Sequence, residues 1–205
     1  MGLVETSHET KTITFLKEHA MLVVRRADLT DLARMKPLAD QVLIGEEVQL
    51  RVTRSGFTLS YIPLKNAEWR CFPPHNAGRG EKLVRAEDAA LLLAVLDDAQ
   101  AGLCAARMSA DGWCEVVDLR VDAANRRQGI ARTLLESAVS FAKKRGAFGL
   151  SMTVTDNNPV ICQFLEHNGF RLHGVDNMRF AALPEERRKP LHLRPCALTF
   201  YKSLT

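Results

Sequence analysis

The chain has 205 residues, a formal net charge of +4 and a hydrophobic share of 46%, values typical of a folded domain with a sizeable core. No apolar run approaches the roughly 20 residues of a membrane-spanning helix, and the cysteines and histidines lack metal-ligand spacing. Aromatic residues make up only 6% of the chain, which argues against a nucleic-acid-binding face. We therefore expect a cytoplasmic protein that binds no metal, no membrane and no nucleic acid.

The N-terminal half of the chain has a weak and mixed pattern. Residues 1–20 are polar without a clear period, so we expect an N-terminal extension, with room for a short helix, before a single domain over 21–205. The apolar run over 21–26 predicts a first strand. The remaining predictions here are a helix capped by Asp28, a second helix over 39–50, a strand over 56–63 ended by Pro63, and a long loop over 64–88.

From residue 89 the pattern becomes regular. Three apolar runs separated by two turn sequences predict antiparallel strands over 90–96, 101–108 and 113–121. Beyond them we expect a helix over 130–145, a strand over 148–155, a helix over 159–168, strands over 170–175 and 196–202, and an exposed connection over 181–195. This order predicts an α+β class: a mixed, largely antiparallel sheet with helices on both faces.

The most informative stretch is the loop that follows the strand over 113–121. It contains Arg126, Arg127, Gln128 and Gly129, and no Ser, Thr, Asp or Asn stands directly before the helix to cap it. Two cations are unfavourable at the positive end of a helix dipole, whereas a phosphate would accept from the free N–H groups and neutralise them. Glycine leaves room for that close approach. The loop therefore predicts a pyrophosphate site, with a solvated surface loop as the alternative.

Two motifs match a known family. R-R-Q-G-I-A (126–131) matches the signature Arg/Gln-x-x-Gly-x-Gly/Ala, and D-N-N-P-V-I-C-Q-F-L-E-H-N-G-F (156–170) resembles that family's second marker. Residues 89–205 resemble the GNAT superfamily of acetyl-CoA-dependent N-acetyltransferases throughout. The detail is most similar to the streptothricin acetyltransferase branch. The resemblance implies a GNAT-like fold with acetyl-CoA as co-substrate.

The resemblance also implies where acetyl-CoA would bind. The strand over 113–121 would diverge from its neighbour to admit the cofactor arm, and Asn158 would contact the cofactor after the next strand. A plain Asn-Pro turn is the alternative role of that asparagine. The implied cofactor-binding residues are Leu119, Arg120, Val121, Arg126, Arg127, Gln128, Gly129, Ile130, Ala131 and Asn158.

Two carboxylates are candidates for the general base that takes the proton of the attacking amine. Glu115 aligns with the base of histone-modifying GNAT enzymes, and Asp118 aligns with an acidic position of the streptothricin-like branch. In a regular strand the two side chains point to opposite faces, so without a bulge both cannot line one pocket. A structural or surface role for both is the third alternative.

The group that would protonate the leaving thiolate is missing from its usual place. Leu165 stands where many GNAT enzymes have a tyrosine, and leucine cannot donate a proton. Tyr201 on the last strand is a candidate substitute, with core packing or a dimer contact as the alternative.

The function implied is N-acetyl transfer from acetyl-CoA to a primary amine of a small molecule or peptide, by direct attack in a ternary complex. A streptothricin-like or other cationic antibiotic is the acceptor that the branch suggests, although a basic chain is not an obvious host for a polycation. A homodimer is one option for its assembly. Leu165 motivates the alternative function, an acetyl-CoA-binding regulatory module with little turnover.

Overall fold

The computed structural model describes residues 11–14, 21–72, 80–180 and 195–204. In chain order the elements are β1 (Lys11–Thr14), β2 (Met21–Arg26), α1 (Leu29–Leu32), β3 (Gln41–Thr53), β4 (Gly56–Cys71), α2 (Gly80–Arg85), β5 (Ala89–Leu96), β6 (Ala99–Met108), β7 (Trp113–Val121), α3 (Ile130–Lys144), β8 (Gly149–Thr155), α4 (Pro159–His167), β9 (Arg171–Asp176) and β10 (Ala197–Ser203). Within these residues no helix is long and apolar enough to cross a bilayer.

Eight of the strands form one sheet in the order β1-β2-β5-β6-β7-β8-β10-β9, and β3 and β4 form a separate two-stranded ribbon. All neighbours in the large sheet are antiparallel except β7 and β8, which are joined by the crossover helix α3. The predicted mixed, largely antiparallel sheet is confirmed.

Helices cover both faces of the sheet because each has one apolar side. On one face, Leu134 and Ala138 of α3 and Leu165 of α4 are fully buried in the main core. On the other face, Leu32 of α1 and Leu83 of α2 pack against a smaller cluster from β5 and β6.

The bounds of the helices and strands predicted from residue 89 onward are confirmed to within two residues. The N-terminal ones fail where the ribbon forms. The helix expected over 39–50 is wrong, because these residues mostly belong to β3, whose inward side chains Val48 and Leu50 pair with Tyr61 and Leu59 of β4. A strand is favoured because the cross-strand pairs bury this face against the rest of the core.

The end predicted for the strand over 56–63 is also wrong. β4 continues through Pro63 to Cys71, since Pro63 sits where the β3–β4 register shifts and its missing N–H disturbs the ladder least. The loop expected over 64–88 is therefore wrong at both ends, where β4 and α2 lie; residues 73–79 are outside the described part.

Three further predictions concern the N-terminal extension, the helix after Asp28 and the connection over 181–195. Lys11–Thr14 forms an edge strand paired with β2, so the helix considered for the extension is wrong for these four residues. Asp28 caps α1 as expected, accepting from the backbone N–H groups of Thr30 and Asp31, but the helix is a single turn. The connection over 181–195 lies almost wholly outside the described residues, and the boundary near residue 20 stays a prediction.

Candidate active site

A cleft of about 640 Å³ opens where β7 and β8 separate. The two strands are paired from Trp113 and Gly149 as far as Glu115 and Ser151, and the pairing stops there. Beyond this point each strand lines one wall of the cleft, over residues 117–121 and 152–155. The divergence expected of the strand over 113–121 is present.

A β-bulge in β7 decides which side chains enter the cleft. Ala105 of β6 pairs with Asp118 and Ala106 pairs with Val116, so Val117 is an extra residue in β7. The bulge shifts the alternation by one position. Asp118 and Glu115 therefore share one face of the sheet, which a regular strand would not allow.

The two candidate carboxylates nevertheless differ in position. Asp118 lines the cleft, and its Oδ1 accepts from Arg120 Nε at 2.9 Å, with both side chains nearly buried. Glu115 lies at the last paired position and is not among the described residues that line the cleft. Its Oε2 accepts two hydrogen bonds, at 2.9 and 2.7 Å, from the half-exposed Arg107.

The start of α3 has the features of an anion site. Gly129 at its N-cap has φ +83°, and no side chain of the described residues caps the helix. Arg127 also has a positive φ, of +64°, so the loop turns tightly before the helix. The first N–H groups of a helix have no partner inside it, and the residues that carry them here line the cleft beside Arg127.

Arg126 uses its guanidinium in an unexpected way. It donates to the backbone carbonyls of Val121 at 3.2 Å, Gln41 at 2.8 Å and Ala39 at 3.2 Å. The side chain thus ties the loop before α3 to the start of β3. Gln128 instead donates to the carbonyl of Ala124 at 3.4 Å and is not among the described residues of the cleft wall.

The other implied cofactor residues line the cleft, namely Leu119, Arg120, Val121, Ile130, Ala131 and Asn158. Asn158 has two roles at once. Its Oδ1 accepts from the Ile161 N–H at 3.3 Å and caps α4, so the Asn-Pro turn is real, while the residue still faces the cleft.

The base of the ribbon supplies cleft residues that the sequence analysis missed. Ala39, Asp40, Val42 and Phe72 form part of the wall, and Arg120 donates to the Phe72 carbonyl at 2.8 Å. The period-2 pattern of Gln41–Thr53 is the available signal, although Glu46 interrupts its series of apolar residues.

A thiol sits at the edge of this wall. Cys71 Sγ donates to Asp40 Oδ2 at 2.9 Å. Burial and this hydrogen bond raise the pKa of Cys71 to about 11, so the thiol stays protonated at neutral pH.

Neither tyrosine of the chain reaches the cleft. Leu165 is fully buried, Tyr61 donates to Glu166 at 2.5 Å, and Tyr201 packs edge-to-face on Trp113 with ring centroids 4.7 Å apart. Burial and the Glu166 carboxylate raise the pKa of Tyr61. Tyr201 therefore has the packing role that was the alternative to a catalytic one.

Comparison with known proteins agrees with this geometry. Residues 61–170, more than half of the chain, match the acetyltransferase (GNAT) family. The chain belongs to this family. It is an N-acetyltransferase of the GNAT type, and acetyl-CoA is its co-substrate.

Two relatives carry related names. The streptothricin acetyltransferase of Streptomyces lavendulae is 29% identical over 153 residues, which are 72% of this chain and 81% of that protein. Streptothricin acetyltransferase A of Bacillus subtilis (strain 168) is 28% identical over 101 residues, 49% of this chain and 58% of that protein. The resemblance to the streptothricin branch is confirmed.

Solved structures show the same fold. A Bacillus anthracis protein assigned as a streptothricin acetyltransferase, solved in complex with acetyl coenzyme A, superposes with a TM-score of 0.76 at 16% identity, over 89% of this chain and 99% of that one. Nourseothricin acetyltransferase superposes with a TM-score of 0.71 at 22% identity, over 90% and 99%.

Proposed function

We propose that this enzyme acetylates a primary amine of a small molecule by direct attack on acetyl-CoA in a ternary complex, with a streptothricin-like antibiotic as the first candidate acceptor. Two relatives named streptothricin acetyltransferase support the acceptor class. The enzyme would then confer resistance by modifying the antibiotic. A peptide acceptor, a homodimer and a cytoplasmic location stay predictions.

The cofactor would bind along one continuous path. Its pyrophosphate accepts from the N–H groups over 127–131, next to the Arg127 side chain. Its pantetheine arm then lies against the edge of β7 that β8 leaves unpaired, where Leu119 and Val121 offer backbone groups. This path puts the thioester near Asp118, where the cleft narrows toward the last paired residues.

Asp118 is the residue that we propose as the general base. The amine nitrogen attacks the thioester carbon, the C–N bond forms, and the C–S bond breaks with its electron pair moving to sulfur. The proton lost by the amine passes to the Asp118 carboxylate, directly or through one water. Arg120 holds that carboxylate in place, and a backbone N–H group would stabilise the carbonyl oxygen in the tetrahedral intermediate.

The observation that supports Asp118 over Glu115 is its place in the cleft. Asp40 adds a second carboxylate to the same wall. Both would attract a cationic amine, whereas the arginines before α3 attract the phosphates.

Thiol release from acetyl-CoA tests the proposal. Purified protein is incubated with streptothricin-type antibiotics, polyamines, amino acids and peptides, and the products are identified by mass. We expect thiol release and one added acetyl group with an antibiotic amine, and loss of both in Asp118→Asn. Tight CoA binding without thiol release for any amine would instead favour the regulatory binding module.

A further inference from the structure

The departing thiolate needs a hydrogen-bond donor, and the usual one is absent. Leu165 is fully buried and apolar, and both tyrosines are engaged elsewhere. Among the described residues that line the cleft, the side-chain hydroxyls belong to Thr153 and Thr155, both on β8.

Thr153 lies level with the proposed base. It is two residues beyond Ser151, where the pairing with β7 ends, which is about 7 Å along the strand. Asp118, after the bulge, is at the corresponding height on the opposite wall. Because Ser151 pairs with Glu115, and the bulge gives Glu115 and Asp118 the same face, Thr153 and Asp118 also share that face.

A second threonine holds the Thr153 hydroxyl. Thr153 Oγ1 and Thr199 Oγ1 are 3.0 Å apart across the β8–β10 pair. When Thr199 donates, the Thr153 proton is free for a third atom in the cleft. Gly174 of β9 leaves space for this arrangement, since a β-carbon there would lie 3.1 Å from the Thr199 Cβ.

Two other donors in the cleft, Thr155 and His167, are placed less well. Thr155 is a further two residues, about 7 Å, from the point where the strands meet. His167 stands in the last turn of α4, and its Nδ1 is bonded to the Gln163 carbonyl at 2.6 Å. Neither is level with Asp118.

We propose that the Thr153 hydroxyl donates a hydrogen bond to the coenzyme A sulfur as the C–S bond breaks, and that Thr199 positions it. This inference rests on the proposed acetyl transfer. As the electron pair moves to sulfur, Thr153 keeps its proton and stabilises the thiolate. The proton that finally gives the free thiol comes from solvent. The threonine pair thus takes the place of the missing tyrosine.

The first test needs no acceptor. CoA alone is bound to the enzyme, and the pKa of its thiol is followed by thiolate absorbance during a pH titration. Loss of the hydrogen bond in Thr153→Val should raise that pKa by about 0.5 to 1, with Thr153→Ser restoring the original value. Thr155→Val should leave it unchanged. An unchanged pKa in Thr153→Val with CoA still bound would overturn the inference, as would an equal rise in Thr155→Val.

The second test separates turnover from binding. Thr153→Val should lower kcat by about 5- to 10-fold while the KM for acetyl-CoA stays within about twofold, because the bond forms only as the sulfur becomes charged. Thr199→Val should show a smaller fall in kcat of the same kind. A rise in KM with unchanged kcat would overturn the inference. Since the thiol titration does not depend on the acceptor, it remains decisive even if the acceptor class is wrong.

Discussion

Strand β7 carries two carboxylate–arginine pairs whose chemistry is alike and whose surroundings are not. Glu115 and Arg107 pair across β6 and β7, where β7 is still bonded to β8, and Arg107 is half exposed. Asp118 and Arg120 pair within β7 after it has left β8, and their side chains are only 12% and 13% exposed. The carboxylate that lines the cleft is thus the one that lies where β7 has lost a neighbouring strand.

Exchanging each carboxylate for its amide tests whether Asp118 and Glu115 differ in catalysis. Asp118→Asn should lower kcat/KM by roughly 10²- to 10⁴-fold, because the amide cannot accept the proton of the amine. Glu115→Gln should change it by less than about threefold, since the residue has no place in the cleft. Steady-state rates of the two variants with the true acceptor measure these effects. The reverse order of effects would return the base to Glu115.

The arginines allow a finer version of the same comparison. Arg120→Met removes the hydrogen bonds to Asp118 and to the Phe72 carbonyl, so kcat/KM should fall by about 10- to 100-fold. The matched change Arg107→Met loosens only the exposed pair and should cost little. Equal losses in the two variants would mean that the enclosure of the Asp118 pair has no catalytic value.

Arg126 and Arg127, in the loop before α3, are neighbours that also differ in their surroundings. Arg127→Gln should weaken CoA binding several-fold at unchanged melting temperature, because it removes one charge near the phosphates. Arg126→Gln should also lower the melting temperature, since three backbone carbonyls lose their donor. Calorimetric titration and thermal unfolding measure both effects. Unchanged CoA affinity in the double variant would remove the basis for a pyrophosphate site here.

The smallest effect is expected from a third carboxylate–arginine pair, Asp31 and Arg25, which lies away from the cleft. Arg25 donates two hydrogen bonds of 2.6 Å to Asp31, and they lower the pKa of Asp31 from 3.8 to about 2. Because the folded-state pKa is depressed, this stabilisation is present above about pH 4 and is lost as the pH falls toward 2. Since Arg25 is partly exposed to solvent, we expect Asp31→Asn to cost only about 1 kcal/mol at pH 7.

Denaturant unfolding of both proteins at several pH values tests this. The difference in unfolding free energy should shrink between pH 4 and pH 2, and kcat should match that of the unchanged enzyme. A constant difference across that range would show that the Asp31 ion pair is not what the substitution removes.

Much of the C-terminal half could be predicted because its signals are local. α3 repeats its apolar residues at helical spacing and ends in two lysines, and β5 to β7 are separated by turn sequences. The loop that we propose for the pyrophosphate is equally visible in the sequence, since an uncapped helix start next to arginines is a property of neighbouring residues. These features need no knowledge of distant contacts.

The ribbon and the choice of base could not be predicted for the opposite reason. Glu46 breaks the apolar series of β3, and only pairing with β4 shows which residues face inward. The bulge at Val117 likewise depends on how β6 and β7 register with each other, which no single stretch of sequence encodes. The same holds for the role proposed for Thr153, which depends on a strand that lies across the cleft.

The bulge has a consequence for how relatives should be aligned. Sequence alignment matches letters in columns, but the direction of a side chain on β7 depends on how many residues separate it from the bulge. A homologue with an acid in the column of Val117 would present it to the same cleft, because Val117 lines the cleft and packs against the cluster that contains Ala105, the partner of Asp118. Transfer of a catalytic assignment along this strand therefore has to follow the hydrogen-bond register, and a homologue without the bulge would turn the same aspartate toward the opposite face.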